Sequence, residues 1–180
     1  MRTIELTQGY VASVDDADFD RVSAHRWCAN KNRHTVYAYR KDGRRTVYMH
    51  RFICGVTDPE VKVDHRNRNG LDNQRRNLRD CSNGQNSMNQ RKRRDGVSSK
   101  FKGVCWHKRD RKFQADIRLN GRSKFLGMFV SELDAALAYD TAAREHFGEF
   151  ALCNFPPKKP CVNSSPALHS AHGVTSAQVL

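Results

Sequence analysis

The chain has 180 residues, 38% of them hydrophobic, and its 32 lysines and arginines against 19 aspartates and glutamates leave a net charge of +13 and a pI near 9.8. Positive charge spread so widely suits a polyanion, nucleic acid above all, and is more than a small acidic substrate would need. No run approaches the roughly 18 apolar residues of a membrane span, and the opening MRTIELTQGY lacks the apolar core of a secretory leader, so a soluble, intracellular, cytoplasmic protein is expected.

Residues 1–49 read as a mainly β segment. Strands are expected at 3–6, 10–14, 35–40 and 46–49, with Asp42-Gly43 as a hairpin turn. Between them Asp15 or Asp16 suits the cap of a short helix that buries Phe19 and Val22, with Trp27 a further candidate. The segment carries no catalytic constellation of its own and reads as scaffold. Its Tyr37, Tyr39 and Arg40 fit either a core strand or a contact to nucleic acid. His50, in Met-His-Arg-Phe-Ile, stands just before the next unit and suits a place lining the site, a phosphate contact or a locally bonded structural histidine.

Residues 50–95 hold the chemistry. The run Val61 to Val63 closes on Asp64-His65; a loop follows with Gly70 and Asp72-Asn73, then Asn77-Leu78-Arg79 as a second short strand, then Ser82 as the N-cap of a helix carrying Gln85, Asn86 and Asn89. A carboxylate beside an imidazole, facing an amide on a helix, offers oxygen ligands for a hard cation and a base next to it. That combination suits phosphodiester hydrolysis. Taken singly these residues are ordinary turn chemistry, and the signal lies in their order.

In that order they resemble the HNH endonucleases, in the H-N-N form. The resemblance implies a ββα-metal fold of two antiparallel strands and a helix around one divalent ion. It implies that Asp64 is the metal-binding carboxylate and His65 the general base. Asn77, twelve positions after His65, would pin the loop and orient the histidine, and Asn86 would be the helix's metal ligand. Asn89, one helical step further on the same face, is a rival for that place. Many relatives have histidine there; an amide oxygen shifts the expected cofactor to Mg²⁺ or Mn²⁺. Arg66, Arg68 and Arg76, with Arg75 and Arg79, would hold flanking phosphates.

Between 91 and 124, thirteen lysines and arginines stand against three aspartates, so the electrostatic footprint is expected there. Residues 91–100 read as a basic linker. Within 96–156, Phe113, Ala115, Ile117 and Leu119 alternate with Lys112, Gln114, Asp116 and Arg118, giving a strand with one apolar and one polar face. Asn120-Gly121 turns it into a strand over 122–129, and 101–106 supplies a third. Ser131 with Asp134 suggests a capped helix to about His146, ended by Gly148, with Leu133, Ala136, Leu137, Ala143 and Phe147 on its inner face. Asp140 falls in that stripe without an evident purpose.

Lys102-Gly103-Val104, Ala115-Asp116-Ile117-Arg118, Phe125-Leu126-Gly127-Met128-Phe129, Ala138-Tyr139-Asp140 and Leu152-Cys153-Asn154-Phe155-Pro156 resemble the APETALA2-type DNA-binding domain. The resemblance implies a three-stranded sheet laid in the major groove, with contacts from Lys102, His107, Arg109, Arg111, Arg118 and either Lys124 or Phe125. Cys105 and Trp106 stand where the plant domains carry further arginine, so a DNA sequence preference does not transfer. Residues 157–180 are rich in Pro, Ser and Ala and read as a disordered tail, its His169 and His172 without a partner pattern. The six cysteines, at 28, 54, 81, 105, 153 and 161, form no C-x-x-C pair and read as reduced, mostly packed thiols.

The sequence therefore leads to an α+β chain: an HNH unit that cuts and an APETALA2-like unit that positions it on double-stranded DNA, of the phage or homing type. Neither a membrane nor a small-molecule substrate is expected, and the oligomeric state is left open with a monomer favoured. The competing reading is a non-catalytic, sequence-specific DNA-binding regulator whose HNH unit is a degenerate scaffold.

Overall fold

The computed structural model describes residues 1–32, 35–92 and 96–156; Arg93 and Arg94 of the basic linker and the tail from 157, with His169 and His172, lie outside the described residues. The described chain is mixed α/β, built from small antiparallel sheets and four helices. Strand β1 (Arg2–Glu5) pairs with β2 (Val11–Val14), and alternation puts Ile4, Ala12 and Val14 into the interior. Helix α1 (Asp16–Ser23) follows and buries Val22. Asp15 stands at its N-cap position but does not cap it: its carboxylate accepts from the Arg75 amide at 2.8 Å and from Gln74 Nε2 at 3.2 Å, binding the segment to the loop that carries the site.

Strands β3 (Cys28–Lys31), β4 (Val36–Asp42) and β5 (Arg45–Tyr48) form a meander. β3 goes beyond the sequence reading, because Cys-Ala-Asn-Lys lacks alternation; it forms because Trp27 and Ala29 are drawn into the core. Met49 begins helix α2 (Met49–Cys54) and is not the end of a strand, since Met49 and Ile53, one turn apart, are both buried. A single core joins Ile4, Val14, Val22, Trp27 and Ala38 to Met49, Ile53, Val63 and Leu78. The interior thus runs across residue 49 without a break, and the first 49 residues are part of one body with the unit that follows.

Strands β6 (Lys62–His65) and β7 (Leu78–Cys81) pair antiparallel, with Asp64 opposite Arg79 and His65 opposite Leu78. Helix α3 (Asn83–Met88) is opened by a full capping box: the Gln85 amide donates to Ser82 Oγ at 3.2 Å and the Ser82 amide to Gln85 Oε1 at 2.9 Å. The loop between β6 and β7 is fastened to the N-terminal strands. The Ser13 amide donates to Leu71 O and the Asn73 amide to Ser13 O, each at 2.8 Å. At Gly70 the approach is closest, since a Cβ there would fall 2.5 Å from both Val36 O and the Tyr37 ring. Only glycine fits without moving β4.

The second body is a sheet ordered β10-β9-β8, from β8 (Val104–His107), β9 (Lys112–Leu119) and β10 (Arg122–Phe129), under helix α4 (Glu132–Phe147). Asn120 and Gly121, at φ 49° and 79°, make the β9 to β10 turn with both residues left-handed. Ala135, Ala136, Ala142 and Ala143 are buried and let α4 lie close on Val104, Ala115 and Ile117. Leu133 and Leu137 do not join them: they are 54% and 49% exposed. The buried arc runs from Ala142 through Tyr139 and Ala143 to Asp140, and helical phase carries both leucines past its Asp140 edge. Asp140, fully buried, accepts from the Asn154 amide at 2.7 Å and the Phe155 amide at 2.8 Å, so it staples the chain after α4 back onto the helix. Asn154 passes the tie on, accepting from the Lys102 amide at 2.7 Å.

The two bodies touch. Met88, the last residue of α3, packs against the Ile117, Tyr139 and Phe147 cluster of the second. Among the described residues no helix is long and apolar enough to cross a membrane.

Candidate functional site

Asp64 and His65 end β6, and both are buried, at 7% and 4% exposure. The cross-strand pairing places Arg79 on the face of Asp64, and its Nε and Nη2 both donate to Asp64 Oδ2, at 3.1 and 2.8 Å. Asn89, at the C-cap of α3, donates through Nδ2 to Asp64 Oδ1 and Oδ2 at 3.1 and 3.0 Å and to His65 O at 3.1 Å. Every partner of that nitrogen is an oxygen acceptor, so turning the amide over would set oxygen against oxygen. Asn89 is therefore a donor that braces the carboxylate. Asn86, one turn earlier, is half-buried, and among the described residues its carboxamide has no hydrogen bond. Of the two candidates on α3 it is Asn89 that meets Asp64, while Asn86 keeps its amide oxygen free.

The His65 ring lies among Tyr37, at 5.7 Å between centroids, and His50, at 5.0 Å and edge-on. Its Nε2 is 3.4 Å from Asn73 Oδ1, a long hydrogen bond from a side chain that is fully buried. Burial lowers the His65 pKa from its ordinary value, against smaller opposing contributions from Asn73, Asp64 and Asp72. The ring is thus neutral at pH 7, as a proton acceptor must be. Asn77 spans the loop: its Nδ2 donates to Asp72 O at 2.7 Å and its Oδ1 accepts from the Asn67 amide at 3.0 Å, while its own carbonyl accepts from the Arg66 amide at 2.8 Å. His50 is buried too, its pKa pushed down to about 3 by desolvation, then by the neighbouring His65 and Arg51. Its Nδ1 has no partner among the described residues.

Asn73, Tyr37 and His50 complete the surroundings of His65; the sequence offered His50 as a residue lining the site, but gave no such part to Asn73 or Tyr37. Asn73 reads as a turn residue beside Asp72, and Tyr37 lies 28 positions upstream in a different sheet. Only the fold brings them together.

The loop arginines divide. Arg75 forks onto Asp18, at 2.7 and 2.8 Å, and Arg79 is spent on Asp64, so neither is free for a phosphate. Arg66 pairs with Glu149 of the second body. Arg76 is exposed beside Gln74, while Arg68, at φ 62°, is half-buried with its Nε unpartnered among the described residues.

On the second sheet the buried Ala115 and Ile117 face α4, so Gln114, Asp116 and Arg118 face outward with their cross-strand partners Cys105, Phe125 and Ser123. His107 and Lys112, paired to each other, share that outer face, and Arg109 and Arg111 stand exposed in the turn between them. Two expected contacts are placed elsewhere. Lys124 pairs with Ile117 on the helix side, its Nζ 3.5 Å from His146 Nε2, because the register sets it out of phase with Arg118. Lys102 donates from Nζ to Met88 O and, at 2.8 Å, to Gln90 O; it closes the C-terminus of α3, and burial pushes its pKa down to about 8. Phe125, 58% exposed, takes the outward place on β10.

Among the described residues no three His, Cys, Asp or Glu side chains gather as a metal cluster. An ion at this site would depend on Asp64 and carboxamide oxygen, a hard-oxygen set suited to Mg²⁺ or Mn²⁺. The site thus consists of a strand ending in a carboxylate and an imidazole, a braced loop and a short amide-bearing helix. An uncharacterized HNH endonuclease of Acanthamoeba polyphaga mimivirus is 32% identical over 153 residues, 82% of this chain and 76% of the viral protein. The chain belongs to the HNH endonuclease family. APETALA2-like protein 2 of rice, in both the indica and japonica subspecies, is 41% identical over 70 residues, 38% of this chain and 16% of the plant protein. No family model matches the chain, and no solved structure matches it significantly.

Proposed function

We propose that the protein is a metal-dependent DNA endonuclease in which β6, β7 and α3 form a ββα-metal unit that cuts, and the APETALA2-like sheet positions it on double-stranded DNA. The observation that carries this reading is the pairing of a buried, neutral His65 with the braced carboxylate of Asp64 in a member of the HNH family. Asp64 through Oδ1 and Asn86 through its amide oxygen would hold a divalent ion, Mg²⁺ or Mn²⁺. Arg79 occupies only Oδ2, which leaves a lone pair of Oδ1 beside its single contact to Asn89. When bound, the ion supplies charge stabilisation to the phosphoryl oxygens and to the leaving 3′ oxygen.

His65 takes the proton from the attacking water. With Nε2–H given to Asn73 Oδ1, the lone pair sits on Nδ1, the nitrogen that accepts. Asn77 holds the loop so that this tautomer keeps its partner. Water's oxygen bonds to phosphorus as the bond to the 3′ oxygen breaks, leaving a 5′-phosphate and a 3′-hydroxyl. Arg68 and Arg76 would hold the flanking phosphates, with Arg66 joining them once released from Glu149. On the second body, Arg118, Lys112, His107, Arg109 and Arg111 would meet the duplex.

The test is supercoiled plasmid incubated with the full chain and Mg²⁺, Mn²⁺ or a chelator. Wild type should nick or linearise it only with metal, and His65→Ala and Asp64→Ala should each lose at least about 100-fold in rate while binding DNA nearly as well. An intact plasmid under every condition would mean that the chain binds DNA without cutting it, and cleavage by both variants at the wild-type rate would remove the site assignment.

A further inference from the structure

Arg79 has a place that phosphate binding does not explain. Its side chain is 6% exposed and that of Asp64 8%, so the pair is sealed from solvent. Both donors on the Asp64 side go to one oxygen, Oδ2, which fixes the rotation of the carboxylate and turns Oδ1 away from the guanidinium. A buried carboxylate held by one arginine depends on that arginine staying in place. Strand register sets Arg79 opposite Asp64, but the remaining contacts of its guanidinium come from outside the nuclease unit. Its Nη1 donates to Glu149 O at 2.7 Å, and its guanidinium carbon lies 3.8 Å from the centre of the Phe150 ring. Glu149 and Phe150 belong to the 3-10 turn Gly148–Phe150 that ends α4, about 70 residues away in the DNA-binding body.

We infer that Arg79 is the positioning residue for the Asp64 carboxylate, and that the Gly148–Phe150 turn of the second body is the part that holds Arg79 in that position. The inference rests on the proposed role of Asp64 as metal ligand and extends it: the ligand is aimed by the module that carries the DNA-binding sheet. The chain of contacts runs from α4 through Phe150 and the Glu149 carbonyl to the guanidinium, and from there to Oδ2. Met88, half-buried and packed against the Ile117 and Tyr139 cluster, and Lys102, bonded to Met88 O and Gln90 O, fix α3 to the same body. The helix carrying Asn86 and the carboxylate facing it are thus both referenced to the second body. An isolated nuclease unit would keep Asp64, His65 and Asn77 but lose the far side of this clamp.

The experiment is calorimetric titration of Mn²⁺ into the full chain, without DNA, with plasmid cleavage and duplex affinity in chelator measured in parallel. Phe150→Ala removes the ring from the second body and leaves every nuclease-unit residue in place. Phe150→Tyr keeps the ring. Arg79→Lys keeps the charge but cannot fork onto Oδ2 and reach Glu149 O at once. Phe150→Ala and Arg79→Lys should each weaken Mn²⁺ binding about tenfold or more and lower kcat, as changes behind a metal ligand do. Phe150→Tyr should bind as wild type, and duplex affinity in chelator should be unchanged in all three. If Phe150→Ala and Arg79→Lys bind Mn²⁺ as tightly as wild type, the inference is overturned. A wild-type chain that bound no Mn²⁺ would overturn the metal reading on which it stands, a separate result. Melting curves show which variants stay folded, and the two substitutions lie in different bodies, so a folding defect in one leaves the other to decide.

Discussion

His50 should make the protein measurably acid-sensitive. It is 9% exposed, stacked on Tyr48 at 5.5 Å and edge-on to His65, with Tyr37 on a third side and Arg51 next to it in α2. None of these offers a carboxylate to a charged ring, and its pKa falls to about 3 from an ordinary 6.5. The folded state keeps the ring neutral while the unfolded chain takes up a proton below pH 6.5. Stability is therefore whole above pH 6.5 and is lost as pH falls toward 3. At about 1.4 kcal/mol per unit the whole window is worth about 5 kcal/mol, of which about 2 kcal/mol is lost by pH 5. His65 adds to the loss in the same direction. Asp18, whose carboxyl the Arg75 guanidinium holds low, contributes only below the carboxylate range. Urea unfolding of wild type and His50→Phe at pH 7.5 and pH 5 isolates the term, since phenylalanine fills the ring's place and cannot titrate. The drop in stability between the two pH values should be smaller in the variant by about 2 kcal/mol. An equal drop in both proteins would refute the claim that His50 is buried in its neutral form.

The cleavage rate should hold its plateau down to a pH below the ordinary histidine value of 6.5 and then fall, because burial lowers the His65 pKa; a pH and rate profile with its acid limb above 6.5 would contradict this. Lys102→Ala and Arg118→Ala should differ in kind. The first leaves Met88 O and Gln90 O without their donor, so the melting temperature should fall with little change in the salt slope of binding. The second should leave stability alone and lower that slope by about 1.

What was legible in the sequence was local. Turn chemistry at Asn120-Gly121, the alternation of 112–119 and the Ser82 N-cap each depend on neighbours a few residues apart, and each forms at its expected place. Asp64 and His65 could be singled out because they are adjacent. Their supports could not. Asn73 reaches His65 only because Ser13 grips the loop, and Arg79 reaches Asp64 only through strand register. Leu133 and Leu137 show the opposite failure: spacing alone places them on the stripe of Ala136, and only the depth of the alanine contact shows where the buried face ends. Residue 49 looked like a boundary because strands gave way to a motif, but a core is built by contacts that sequence order does not record.

Net charge was the strongest compositional signal, and the fold changes what it means. A salt-dependent affinity counts phosphates neutralised, not basic residues present. Arg75 neutralises Asp18, Arg79 neutralises Asp64, and Lys92 and Lys102 give their ammonium groups to backbone carbonyls at the junction of the two bodies. These residues hold the protein together, and several of them hold the nuclease site in particular. Among the described residues the exposed basic groups include Arg109, Arg111, Lys112 and Arg118 on the second sheet and its turn, and Arg76 on the loop that follows His65, where Arg68 is half-buried. Arg66 stands between these roles, paired with Glu149 yet 45% exposed. A phosphate arriving beside His65 competes with that carboxylate for the guanidinium. Under the proposed function Arg66 is thus one of the residues that link the two bodies at the site and also one that DNA would claim, so docking of the second body and entry of the scissile strand would act on the same arginine.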